Sequence, residues 1–179
     1  MTVTNGIPIF LKQVNTQSSI LVGCADRCAW IRVEGKGSFL NSSGVKEFAK
    51  EMVNRGHREF FVDLRNCPAM DSTFMGTMAG IALRLRELGQ GHLHVVNLNE
   101  RNSDLLCNLG LDQLFSLDSQ PARGNATVPL ESGEAAGSRE AQMNTMIEAH
   151  EALVDADAAN LTKFKDVLEY LKQDLHHSE

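Results

Sequence analysis

Hydrophobic positions along this chain change their spacing several times, and each change marks an element. Ile20-Leu21-Val22-Gly23-Cys24 and Cys28-Ala29-Trp30-Ile31-Arg32-Val33 are apolar runs joined through Ala25-Asp26-Arg27, which predicts a β-hairpin. Gly35-Lys36-Gly37 then breaks the chain. Val45, Phe48, Ala49, Met52 and Val53 recur at i, i+3, i+4, i+7 and i+8, the apolar stripe of a helix. Asn41, Ser42 or Ser43 would cap its start, and Gly56 fits its end. Phe60-Phe61-Val62-Asp63-Leu64 is a short apolar run and predicts a buried strand.

After a loop containing Pro68, a second helix is predicted from about Ser72 to Leu88, ended by Gly89. Gly76 and Gly80 lie four apart within it. Two glycines cost helix propensity, so close approach of another backbone is expected there. His92 to Leu98 predicts a strand, Asn102 to Leu109 a short helix ended by Gly110, and Leu114 to Leu117 a last strand or edge segment. Strands alternating with helices imply an α/β domain with a mostly parallel sheet.

Residues 119–138 differ in kind. Ser, Pro, Gly, Ala and Asn dominate, which predicts a mobile linker. Beyond it, Met143, Met146, Ile147, His150 and Leu153 share one helical face, and Leu161, Phe164, Val167, Leu168 and Leu171 share another. The two stretches form a helical hairpin too small to bury its faces alone. It must cap the domain, join a homodimer or meet a partner. The domain organisation expected is therefore 1–118 as the main domain, 119–138 as linker and 139–179 as an acidic helical extension.

Charge sharpens this division. Residues 1–120 carry 12 basic and 12 acidic side chains, so the whole net charge of −6 falls in the last third, which carries 5 and 11. Such a distribution excludes a phosphate-neutralising surface for nucleic acid and disfavours an anionic membrane. No basic region followed by an apolar run opens the sequence, and its apolar runs are too short to span a bilayer; a cytoplasmic location without membrane insertion is expected. Cys24, Cys28, Cys67 and Cys107 have no metal-binding spacing and are expected as reduced thiols.

The candidate chemistry is sparse. His92 and His94 lie two apart on a strand and share a face, but no cysteine or carboxylate stands near them in sequence, so no metal site is expected. Asp63 and Asp71 lack a histidine or second acid positioned for acid–base work, and no phosphate loop or nucleophile elbow is present. A non-enzymatic protein without a cofactor is the reading. Asp71-Ser72-Thr73 opens the second helix, and taken alone these residues cap its free N–H groups.

Three blocks in order carry a resemblance. Trp30-Ile31-Arg32-Val33-Glu34-Gly35 is one. Phe61-Val62-Asp63-Leu64 followed by Met70-Asp71-Ser72-Thr73 is the second. Leu93-His94-Val95-Val96-Asn97 with Leu109-Gly110-Leu111-Asp112-Gln113-Leu114-Phe115 is the third. Residues from about 18 to 118 in this way resemble the STAS domain, the fold of bacterial anti-sigma factor antagonists. The resemblance implies a STAS-like mixed sheet of four to five strands with packed helices, to which the C-terminal helical hairpin is added. It also implies partner switching. The unphosphorylated domain binds an anti-sigma factor or related serine kinase, and phosphorylation of the serine after the loop aspartate ends the binding. That serine maps onto Ser72, with Thr73 as second choice. Ser38, Asp71, Thr73, Phe74, Met75 and Gly76 map onto the partner surface.

Two positions depart from the family pattern. Phe74 replaces the first glycine of the switch motif, and Ser38 stands where the family usually has an acidic residue. Phe74 either enters the core or stands exposed as a partner anchor. Two further readings remain: a STAS interaction module that is never phosphorylated, in a sensory assembly or lipid-transport complex, and a sensor of small ligands.

Overall fold

Buried and half-buried residues alternate along the first two strands, and their pairing follows from that pattern. β1 (Ser19–Ala25) and β2 (Cys28–Glu34) form an antiparallel hairpin turning at Asp26, where φ is +53°. The computed structural model describes residues 18–118, 126–130 and 137–177. β3 (Glu59–Asn66) pairs parallel with β2, β4 (His92–Val96) parallel with β3, and β5 (Ser116–Asp118) parallel with β4. Each parallel step is made through a helix: α1 (Phe39–Asn54), α2 (Ser72–Glu87) and α3 (Glu100–Asn108), the last followed by a 3-10 turn at Leu111–Gln113.

The sheet is mixed and has six strands, in the order β5-β4-β3-β2-β1-β6. The sixth, β6 (Val128–Pro129), comes from the stretch expected to be linker. It pairs antiparallel with the free edge of β1, and Leu130 N–H donates to the Ile20 carbonyl at 2.8 Å. An unpaired strand edge leaves N–H and C=O groups without partners, and β6 covers that edge. The rest of the expected linker, 119–125 and 131–136, lies outside the described residues apart from Gly137 and Ser138 at its end.

One face of the sheet carries the core. Ile31, Val33, Phe60, Val62, Leu64, Leu93 and Val95 pack with Val45, Ala49 and Met52 of α1 and with Phe74, Met78 and Leu85 of α2. On the other face Trp30, Phe61 and His94 stack across three strands, with ring centroids 6.1 and 4.6 Å apart. The helix caps are local. α1 begins earlier than its apolar stripe suggests, and its cap is Ser38, not Asn41, Ser42 or Ser43. Ser38 Oγ accepts from Leu40 N–H, and Asn41 Oδ1 accepts from Ser38 N–H, a reciprocal capping box.

α4 (Arg139–Ala156) and α5 (Asn160–His176) form the C-terminal hairpin. Ile147, Leu168 and Leu171 make a small cluster of their own, whereas Ala152 and Leu153 join the main core. Leu161 and Val167, expected on the covered face of α5, are 50% and 40% exposed. The hairpin covers a narrower stripe of α5, the one carrying Phe164, Leu168 and Leu171. At its corner, buried Asn160 donates from Nδ2 to the carbonyls of Leu153 (2.8 Å) and Leu109 (2.9 Å), tying the hairpin to the sheet domain.

Candidate functional site

Asp71 organises the predicted switch turn. Its Oδ1 accepts from Phe74 N–H at 2.9 Å, which caps α2; its Oδ2 accepts from Phe39 N–H at 2.9 Å, at the first residue of α1. One carboxylate thus serves the starts of two helices, where free N–H groups and both dipoles favour negative charge. The backbone supports it: Gly37 and Met70 form a parallel bridge, and Asp71 N–H donates to the Gly37 carbonyl at 2.9 Å.

Ser72 follows as the first residue of α2. Its Oγ lies 2.9 Å from Nε2 of His150 on α4. His150 Nδ1 lies 2.7 Å from the Met146 carbonyl, which can only accept, so Nδ1 carries the hydrogen. In the neutral ring Nε2 is then the acceptor, and the Ser72 hydroxyl donates to it. His150 is buried, and its ring meets Phe164 of α5 edge-on at 5.1 Å.

The other residues mapped onto the partner surface lie differently. Phe74 is fully buried, which overturns the reading of it as an exposed anchor. The reason is Gly37: a Cβ there would lie 2.8 Å from the Phe74 ring, so the bare glycine makes room for the aromatic that replaces the family's glycine. Thr73, Met75, Gly76 and Ser38 are also buried. Asp71 and Ser72 remain half-buried. Gly76 meets another backbone closely, as its place in a helix implied. A Cβ on Gly76 would lie 2.2 Å from the Ala149 carbonyl oxygen of α4.

Sequence reasoning missed the side chains that frame this turn. Phe39 and Leu40, at the start of α1 beside Asp71, are exposed at 38% and 60%. Their position in the first turn of α1, ahead of the Val45 stripe, was the available signal. In the sequence His150 is one member of an apolar helical face. Nothing in a local pattern places it 78 residues away against Ser72.

Elsewhere, the structure supplies the carboxylate that His92 and His94 lacked in sequence. Glu59 stands beside them on β3, with Oε2 at 2.8 Å from His94 Nε2 and Oε1 at 3.6 Å from His92 Nδ1. The three side chains each offer one donor within 4.8 Å of the others, a spacing that a metal ion could bridge. Asp63 and Asp71 do not act together: Asp63 accepts from Arg32, Asn97 and the Arg65 N–H. All four cysteines are free thiols, and burial pushes the Cys67 thiol up. No helix among the described residues is long and apolar enough to cross a membrane.

A mixed open sheet with helices on its core face and a capped polar turn at the start of α2 defines a small α/β domain. The STAS domain family matches residues 19–124, and the chain belongs to that family. The match ends before α4. Among solved structures, TM1081 of Thermotoga maritima superposes with a TM-score of 0.52 at 19% identity, over 56% of this chain and 86% of that one. An anti-sigma factor antagonist from Mycobacterium paratuberculosis superposes with a TM-score of 0.51 at 18% identity, over 59% and 89%. At these identities the likeness is one of fold. No curated protein matches the chain in sequence.

Proposed function

We propose that this chain is a phosphorylation-controlled partner-switching regulator and not an enzyme, which binds an anti-sigma factor or related serine kinase through the Asp71-Ser72 turn and α2. The observation that carries the reading is Asp71. By holding the starts of both α1 and α2, its carboxylate fixes Ser72 at a helix N-terminus on the rim of a STAS domain. A phosphoryl group there adds about −1.5 to −2 charges, which the helix end tolerates. In a dry partner contact the same group is an unpaired charge beside Asp71. Burying it costs several kcal/mol, enough to end a micromolar complex.

The Phe39-Leu40 pair supports the same surface, since it adds exposed apolar area next to Asp71. Intact-mass analysis of the chain purified from its own host, with peptide mapping around Ser72, tests the reading. A form heavier by one phosphoryl group, mapped to Ser72 or Thr73 and abolished by Ser72→Ala or Thr73→Ala, is the expected result. Its absence under every growth condition overturns it.

One observation favours a second reading. The Ser72 hydroxyl is already engaged by His150. A STAS interaction module that is never phosphorylated, in a sensory assembly or lipid-transport complex, would keep the Ser72 hydroxyl unmodified, with the helix after Asp71 as its docking face.

A further inference from the structure

The face of α2 that the proposed function assigns to a partner is occupied in the folded chain. Ser72, Gly76 and Gly80 stand at i, i+4 and i+8 and so form one stripe along α2. α4 lies in that stripe. His150 meets Ser72 Oγ at 2.9 Å, the Ala149 backbone lies where a Gly76 side chain would be, and Ala152 Cβ is the nearest group over Gly80, 3.8 Å from where its Cβ would sit. The close backbone approach expected at both glycines occurs at Gly76, against Ala149; at Gly80 the Ala152 methyl lies at ordinary contact distance, because the neighbouring group there is a side chain and not a backbone.

The seam is polar at its rim. Ser43 of α1 hydrogen-bonds Thr145 of α4 at 3.1 Å, and Lys46 pairs with Glu148. A crevice of about 480 Å³ opens beside it, lined by Lys50, Thr77 and Arg84 among others, so the joint is not closed like the core behind Phe74.

We infer that the Ser72–Gly76–Gly80 face of α2 is a helix-receiving surface and that α4 is its built-in occupant, so that docking of the hairpin and engagement of Ser72 by a partner or kinase exclude each other. The inference rests on the proposed function for the identity of the surface. Geometry supplies the exclusion: a hydroxyl 2.9 Å from a ring nitrogen leaves no room for a phosphoryl group between them. A partner helix that replaces α4 must carry small side chains where Ala149 and Ala152 stand and an acceptor where His150 Nε2 stands. The hairpin is covalently attached, so it competes at an effective concentration on the order of millimolar, and weak partners do not displace it. Once Ser72 is phosphorylated, α4 cannot return to its seat, and the open form persists until the phosphate is removed.

A reversible lock on the full chain tests this. Ser43→Cys with Thr145→Cys places two thiols where oxygens now lie 3.1 Å apart, close enough to form a disulfide with slight adjustment. The exposed thiols Cys24 and Cys107 are replaced by serine to prevent mispairing. Hydrogen exchange is followed in the reduced and oxidised forms. The first-turn amides of α2 and those of α4 are expected to exchange in the reduced form through an opening that leaves β2 and β3 protected, and to slow at least about tenfold on oxidation. If α4 exchanges no faster than β2 and β3 in the reduced form, the hairpin is a permanent part of the fold and the inference is overturned.

The second arm incubates both forms with host extract and labelled ATP. Label on Ser72 in the reduced form only is the expected result. Equal label in both forms overturns the inference. No label in either form, while phosphoproteins of the extract are labelled, removes the phosphorylation reading of the site; the exchange arm then still decides whether α4 lifts.

Discussion

The sheet domain and the C-terminal hairpin are held by different kinds of contact. Inside the sheet domain, large side chains such as Phe60, Phe74, Ile31 and Leu64 are fully buried among one another. Between α4 and α2 the contact is made by Gly76, Gly80, Ala149 and Ala152 with one Ser72–His150 hydrogen bond, and an exposed ion pair, Lys46–Glu148, joins α4 to α1. The first kind of packing loses its free energy only when the whole core opens. The second can part along a seam while each side keeps much of its own core, because the hairpin has the Ile147, Leu168 and Leu171 cluster to itself. Leu153 and Asn160 temper that independence, since they bind the hairpin corner to the main core. The difference is the one that the inferred lifting of α4 requires.

The comparison can be broken most forcefully at Phe74. Phe74→Ala should cost about 3–5 kcal/mol and lower the melting temperature of the whole chain, because the ring fills the space left by Gly37. Thermal unfolding that left the sheet domain unchanged would put Phe74 outside the common core. Gly76→Ala acts on the other side of the comparison. It adds about 1 kcal/mol of helix propensity to α2 but drives a methyl into the Ala149 carbonyl, a strain of about 1–3 kcal/mol confined to the seam. Faster exchange in α4 with unchanged protection of β2 and β3 is expected.

Asp71→Ala should cost about 2 kcal/mol, since two helix starts lose an acceptor together. Chemical denaturation measures it, and a loss no larger than that of a single cap would mean that the Phe39 bond contributes nothing. The Ser72→Ala and His150→Ala cycle should yield a coupling of about 1 kcal/mol between the two residues. Smallest is Lys46→Ala, at about 0.5 kcal/mol or less, because its pair with Glu148 is solvent-exposed. A larger loss there, measured at low salt and erased by high salt, would show that the seam depends on charge more than on close backbone packing.

Much of the sheet domain is legible in the residues because its signals are local. The helix over Ser72–Glu87 and its terminating glycine, the β1–β2 hairpin and the strand around Phe61 each follow from spacing within about a dozen residues. Boundaries shifted where a cap outside the apolar stripe set the start, as Ser38 does for α1. The Val128–Pro129 strand escaped because two residues in a polar stretch carry no period, and only the free edge of β1 gives them a partner.

The sequence by itself determined the order of elements in the sheet domain up to β5, a helix-capping turn at Asp71-Ser72-Thr73 and the demand for a close neighbour at Gly76. Only the tertiary structure decided that the neighbour is Ala149, that His150 Nε2 meets the Ser72 Oγ, that Phe74 turns inward under Gly37, and that Glu59 stands beside His94. The physical reason is range. Caps and amphipathic stripes are encoded over a few residues, where backbone geometry fixes which side chains meet. A contact between residues 78 positions apart depends on how whole faces pack after the chain has closed a long loop, and no local spacing records that outcome.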